Sequence, residues 1–318
     1  MRGVFLDIGT VGKTDLDLEP LLQTLPDWSF PDNINAGNTH KAIQGADIVV
    51  SNKVRLDRET LLQTDHLRLI CVAATGTNNV DLAAAAEKNI TVCNVRAYAT
   101  ASVVEHVFLL ILALSRRLQQ YRAAVRRGDW QNADGFCLLD YPIRELAGQT
   151  LGIIGFGELG RAVARMGETF GMQVLIAQRP GTPATPGRTP LSELLSASDV
   201  VSLHCPLTAT TRNLIDSPEF ELMRPDAILI NTARGGIVNE HTLVQALQTG
   251  QIGAAAVDVL SEEPPRAGNP LLETSLPNLL VTPHIAWSGI TARQTLINEI
   301  AANIRAFLDG RPRNVVQT

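Results

Sequence analysis

Leu151-Gly152-Ile153-Ile154-Gly155-Phe156-Gly157-Glu158-Leu159-Gly160 is the stretch on which the fold turns. A short apolar run, Leu151–Ile154, enters a loop with the spacing G-x-G-x-x-G, and a helical segment then runs to Phe170. That strand–turn–helix context turns a weak glycine pattern into a dinucleotide-binding expectation. Gly155 permits the tight turn, Gly157 lets backbone approach a pyrophosphate, and Gly160 lets the helix lie close on the strand. The positive helix end then faces the phosphates.

Short apolar strands alternate with helical segments on both sides of this loop, which favours parallel sheets covered on both faces. Upstream, strands are expected at Val4–Leu6, Ile48–Ser51, Leu69–Ala73 and Ile90–Cys93, and a helix at Asp81–Lys88 with Asp81 as N-cap. Downstream they are expected at Leu151–Ile154, Val174–Ala177, Val200–Leu203, Ile228–Ile230, Ala254–Val257 and Leu279–Val281. Helices are expected at 158–170, 217–223 and 239–249. A last amphipathic helix over 290–309 has Ser288 as N-cap and Gly310 as its stop. Between the two series, one long helix is expected from Thr100 to Arg127. Its apolar residues cover nearly the whole circumference, which predicts burial on every side, between domains or subunits.

The bulk composition suits an ordinary folded chain of about two domains: 318 residues, 45% hydrophobic and 19% charged. A formal charge of −5 gives no attraction to nucleic acid or an anionic membrane, and the pairs Arg116–Arg117 and Arg126–Arg127 are too short to be a binding patch. Cys71, Cys93, Cys137 and Cys205 form no Cys-x-x-Cys pair, so neither a metal site nor a disulfide framework is expected. Asp7 interrupts the short apolar start, no signal peptide is read there, and no apolar run is long enough to span a bilayer. A reducing cytoplasm is the expected location.

Three strand ends carry residues capable of chemistry. Ile228–Ile230 leads to Arg234, Ala254–Val257 leads to Asp258 and Glu263, and Leu279–Val281 leads to His284. Ligands of open α/β sheets bind beyond the carboxyl ends of strands. An α-keto acid needs a fixed cation for its carboxylate and a proton donor for the oxygen that gains charge as hydride arrives. Arg234 and His284 suit those tasks, and Glu263 would orient the imidazole and favour its charged form. Singly, each has a bland reading as a structural or solvated residue; together they describe a catalytic trio. No G-x-S-x-G elbow is present.

The strand Val174–Ala177 leads into Gln178-Arg179-Pro180 without an acid. A carboxylate here would accept the ribose 2′-hydroxyl of NAD and repel a 2′-phosphate, whereas Arg179 could pair with one. The sequence therefore favours NADP(H), with NAD(H) the alternative.

Six segments in order carry a likeness: Ala73–Asp81, Gly155–Gly160, His204-Cys205-Pro206-Leu207-Thr208, Asn231–Gly236, Asp258-Val259 with Glu263-Pro264, and Thr282–Trp287. On them the chain resembles the D-isomer-specific 2-hydroxyacid dehydrogenase family over nearly its whole length. The resemblance implies an α/β fold of two similar doubly wound parallel-sheet domains, a Rossmann-type cofactor domain (100–288) inserted into a flavodoxin-like substrate domain (1–99 plus 289–318). It implies a homodimer joined through the long helix and the segment after it. By motif, Arg234 binds substrate, Glu263 assists His284, and the amides of Thr75 and Gly76 hold the substrate carboxylate. The Lys53 loop and Trp287 are expected in the pocket wall, with a packing role at the domain seam the equal alternative for Trp287. Thr100, Glu158, Leu159, Cys205, Pro206, Thr211, Thr232, Ala233, Asp258, His284 and Ala286 line the dinucleotide with the three glycines. Ser51-Asn52-Lys53-Val54, Ala74–Asp81 and Asp129-Trp130 with Phe136-Cys137 are most similar to glycerate dehydrogenases, also called hydroxypyruvate reductases. Reduction of hydroxypyruvate or glyoxylate to D-glycerate or glycolate is then the expected reaction. A dinucleotide-sensing corepressor, another D-2-hydroxyacid dehydrogenase and a formate-type dehydrogenase are the alternatives; formate dehydrogenases place Gln, not Glu, beside the catalytic histidine. Arg96 stands where many relatives have Pro.

Overall fold

The computed structural model describes residues 1–316 apart from Lys13, Asn33, Ala36 and Pro180. The chain divides into two compact units, one of Met1–Ala99 with Trp287 onward, the other of Thr100–Ala286. The return to the first unit falls at Trp287, two residues before the expected 289, and the Trp287 ring lies edge-on to Tyr98 at 6.3 Å.

The first unit holds β1 (Arg2–Phe5), α1 (Glu19–Leu22), β2 (Asp27–Ser29), α2 (Thr39–Ile43), β3 (Ile48–Ser51), α3 (Arg58–Leu62), β4 (Leu69–Val72), α4 (Leu82–Glu87) and β5 (Thr91–Cys93). Its sheet is parallel throughout, in the order β2-β1-β3-β4-β5. Successive strand residues serve opposite faces, as a period of two demands. Phe5, Val50 and Cys71 enter one core, while Val4, Val49 and Ile70 enter the other. Asp81 caps α4 by accepting from the Ala84 amide at 2.9 Å.

The second unit opens with two helices, α5 (Thr100–Ser115) and α6 (Leu118–Arg127), where one was expected. Arg117 takes a left-handed φ of +51° and breaks the run. Nor is α5 buried all round within the chain: Leu109 is 56% exposed while Val107, Phe108 and Ile111 are buried. There follow β6 (Thr150–Ile154), α7 (Glu158–Thr169), β7 (Gln173–Ile176), α8 (Leu191–Ala197), β8 (Val200–Leu203), α9 (Ser217–Leu222), β9 (Ile228–Asn231), α10 (Glu240–Gln248), β10 (Ala254–Val257) and β11 (Leu279–Val281). The parallel order is β11-β10-β9-β8-β6-β7. One face is closed by the core of α8, α9 and α10, and on α5 and α7 fall the contacts to β6, β7, β9 and β10 that cover the strands.

The last helix, α11 (Ile290–Leu308), belongs to the first unit and sends Leu296, Ile297, Ile300 and Ile304 into its core. Its N-cap is Gly289 rather than the expected Ser288. In both sheets the chain reverses direction after the first strand, between β1 and β3 and between β6 and β8, and those switch points are where crevices open.

Candidate active site

The glycine loop lies at the second unit's switch point. Gly155 has φ of +96°, and a Cβ there would stand 2.5 Å from both the His204 carbonyl carbon and the Cys205 amide. A Cβ on Gly160 would fall 2.0 Å from the Gly155 oxygen, whereas one on Gly157, the N-cap of α7, would meet nothing within 4 Å. Leu159 lies in the first turn of α7, and the Thr100 hydroxyl bonds the Glu158 carboxylate. After β8, Thr211 Oγ1 donates to the Pro206 carbonyl at 2.6 Å and accepts from the Thr208 amide at 2.7 Å, which shapes the Cys205–Thr211 turn. His204, bonded to Ser202 Oγ at 2.9 Å, is pushed by burial down to about 4 and is neutral near pH 7.

Asp258, 1% exposed, organises the loop that carries His284. Its Oδ1 accepts from Thr282 Oγ1 at 2.5 Å and from the Ile285 amide at 2.9 Å; its Oδ2 accepts from the Ala286 amide at 2.9 Å. Its carbonyl accepts from the His284 amide at 2.8 Å. Burial opposes ionisation of this carboxyl, but bonds from His106, Thr282 and the two amides outweigh it and hold the group below its ordinary value. His106, from α5, sits 3.5 Å from Asp258 Oδ1 and 3.1 Å from Thr282 Oγ1.

His284 Nδ1 lies 2.6 Å from Glu263 Oε2, with the two side chains 25% and 34% exposed. Glu263 Oε1 accepts from the Leu260 amide at 2.8 Å, so the carboxylate is aimed by its own loop. That loop is tied to α10 by Glu240, which accepts from the Ser261 amide and hydroxyl, each at 2.7 Å, and from Asn269 at 2.9 Å. Arg234 is exposed beyond β9, its Nη1 donating to the Ala233 carbonyl at 2.7 Å. The Ala233 amide donates to Asn231 Oδ1 at 3.1 Å.

In the first unit, residues expected on the substrate side also follow strands. Asp7, after β1, gathers the amides of Asn52 (2.8 Å), Lys53 (2.6 Å) and Val54 (3.2 Å) after β3. Thr75 and Gly76 follow β4, with Thr75 Oγ1 donating to the Val95 carbonyl at 2.9 Å and Asn94 donating to the Thr75 carbonyl at 2.7 Å. Trp287 is half-buried on the same core as Tyr98. Arg96 Nε reaches Asn94 Oδ1 at 3.4 Å.

Residues 108–286 match the family model described as D-isomer specific 2-hydroxyacid dehydrogenase, NAD binding domain. The chain is 45% identical over 309 residues to a glycerate dehydrogenase of Methylorubrum extorquens, covering 95% of this chain and 98% of that one. The chain belongs to the D-isomer specific 2-hydroxyacid dehydrogenase family. A hydroxypyruvate reductase of Blautia hydrogenotrophica is 36% identical, with 99% of each chain covered. An acyclic imino acid reductase, solved in complex with NADPH and D-Arg, matches with TM-score 0.87 at 26% identity over 100% of both chains.

This 2-hydroxyacid dehydrogenase is thus a nicotinamide-dinucleotide oxidoreductase with two parallel-sheet α/β domains. Its residues fit that cofactor. Backbone at Gly157 stands open at the start of a twelve-residue helix. Thr232 Oγ1, just after β9, is buried without a hydrogen-bond partner among the described residues, as expected where a bound molecule completes the site. Among the described residues no cluster could hold a metal, and no helix is long and apolar enough to cross a membrane.

Sequence reasoning missed His106 and Glu240. His106 reads as a lone histidine on an apolar helix, and only the tertiary approach of α5 to Asp258 shows its partners. Glu240 follows Asn239, an N-cap, and reads as a first-turn helix acid. Gln178, expected among the cofactor-binding residues, has its side-chain amide bonded within its own loop, donating to Thr182 Oγ1 (2.6 Å) and the Pro183 carbonyl (2.7 Å) and accepting from the Thr185 amide (3.1 Å).

Proposed function

We propose that the enzyme reduces hydroxypyruvate or glyoxylate with NADPH, reversibly giving D-glycerate or glycolate. The observation that carries the catalytic assignment is the His284–Glu263 pair at 2.6 Å beyond β10 and β11. The bound dinucleotide supplies the hydride that goes to the carbonyl carbon. With Nδ1 engaged by Glu263, Nε2 of His284 is assigned to the substrate oxygen, donating its proton as that oxygen gains charge. Glu263, 2.6 Å from Nδ1, fixes the ring plane and so the direction in which Nε2 points. Arg234 is assigned to the substrate carboxylate and carbonyl, where a planar guanidinium binds two oxygens at once. The Thr75–Gly76 amides take the carboxylate, and Lys53 and Trp287 limit the side chain. A formate-type reading is disfavoured by the Glu at 263.

Support for hydroxypyruvate and glyoxylate comes from the glycerate dehydrogenase and hydroxypyruvate reductase relatives. Support for NADPH comes from the absence of an acid between Gln178 and Pro190, and from the NADPH carried by the imino acid reductase of the same fold. A homodimer is supported by apolar side chains left exposed along α5, α6 and the segment after them. Following nicotinamide absorbance with each keto acid and each cofactor tests the reading. Oxidation of NADPH by hydroxypyruvate or glyoxylate is expected; tight dinucleotide binding without turnover of any small keto acid would overturn it in favour of a sensor.

A further inference from the structure

Arg188 has no role in the reading above, yet its placement at the adenosine end of the site is specific. The segment after β7 leaves the sheet and returns beside it: the Gln178 amide donates to the Thr189 carbonyl and the Thr189 amide to the Ile176 carbonyl, each at 2.8 Å. Arg179 and Arg188 are the first and last residues of the loop that this bonded neck closes. Arg188 also carries its guanidinium over the ring of Phe156, 4.7 Å from the centroid. Phe156 lies between Gly155 and Gly157, in the loop after β6, the strand beside β7. One cation is thus fixed between the glycine loop and the end of the neighbouring strand, the crevice where a Rossmann sheet holds the adenine ribose.

The charge around it is one-sided. From Gln178 to Pro190 there are two arginines and no acid. Among the described residues, Arg188 has no ion-pair partner. Gln178, at the position where NAD sites keep an acid, is used inside its own loop. Stacking on an aromatic face holds a guanidinium flat and leaves its edge donors for an oxyanion.

We propose that Arg188, laid on Phe156, is a specificity-determining residue that binds the cofactor's 2′-phosphate together with Arg179. The proposal rests on the NADPH reading and adds a residue that is nine positions further along the chain. The phosphate sits at the neck of the loop, with one guanidinium from each side of the Gln178–Thr189 pair, and Phe156 serves as the platform of the second.

Calorimetric titration of the full-length protein with 2′,5′-ADP and with 5′-ADP tests this apart from turnover. Wild type should bind 2′,5′-ADP more tightly. Arg188→Ala should weaken 2′,5′-ADP roughly 10- to 100-fold, the range for losing charge-assisted hydrogen bonds, with a much smaller change for 5′-ADP. Arg188→Lys should recover part of the loss, since charge returns without the planar stack. KM for NADPH should rise with the same ranking of variants. Equal weakening of both nucleotides would make Arg188 a wall of the adenosine pocket and overturn the proposal. So would an Arg188→Ala protein that keeps the wild-type preference while Arg179→Ala loses it; the NADPH reading would then stand. Wild type that binds both nucleotides alike would overturn the NADPH reading and the proposal with it.

Discussion

His284 holds φ at +56°, a left-handed conformation that its amide bonds to the Asp258 and Thr282 carbonyls stabilise. Asparagine tolerates that backbone better than alanine does, so His284→Asn separates chemistry from strain. It should lower kcat/KM by about two to four orders of magnitude, the span expected for a lost acid–base group, with little change in thermal midpoint. Wild-type rates would remove His284 from the mechanism. Glu263→Gln keeps the shape of the pair but not the charge, and should lower kcat more than it raises KM. His204 supports a different test. Its folded value of about 4 lies below the ordinary 6.5, so the unfolded chain binds the extra proton in between. Stability is full above about pH 6.5 and falls as pH drops towards 4, by about 2 kcal/mol at pH 5. His204→Gln should show a smaller drop in thermal midpoint between pH 7 and pH 5 than wild type. An equal drop would place the sensitivity elsewhere.

At the scale of elements, buried strands were legible because both faces are covered and their residues run apolar without interruption, as in Ile48–Ser51 and Leu69–Val72. β2 was not legible. Asp27-Trp28-Ser29 is a three-residue edge strand, and at an edge one side of the ladder faces water. The break between α5 and α6 escaped for another reason. Arg116 and Arg117 are good helix formers, so nothing in the residue types marks the left-handed turn that Arg117 takes. The positions of Arg234, Glu263 and His284 could be read because each follows a strand, whereas the bonds Gln178 makes inside its own loop could not, because one amide can serve a ribose or its own loop equally well. The Asp7 clamp shows what such loops need. One carboxylate takes three successive amides, and Asp7→Ala leaves them without it. That variant should lose about 1–3 kcal/mol of stability and show a raised keto-acid KM, because Lys53 is carried on the loop. An unchanged KM would detach the loop from substrate binding.

At the scale of the molecule, Phe136 is 91% and Leu139 83% exposed, in a segment that also exposes Trp130 and follows Leu118 and Val125 of α6. On the homodimer proposed above, these exposed apolar side chains are the association surface. Phe136→Asp combined with Leu139→Asp should convert a dimer into a monomer when mass is measured by light scattering. A wild-type monomer, or a double variant that remains dimeric, would place the interface elsewhere.

The insertion of one unit within the other sets an order of events during synthesis. Thr100–Ala286 contains every strand of its own sheet, so it is entire before Ile290 is added to the chain. The strands made first lack one wall until Leu296, Ile300 and Ile304 arrive. Until α11 emerges, the apolar row of Phe5, Val50 and Cys71 lacks the cover that Leu296, Ile300 and Ile304 supply, and that row is what a chaperone would need to shield.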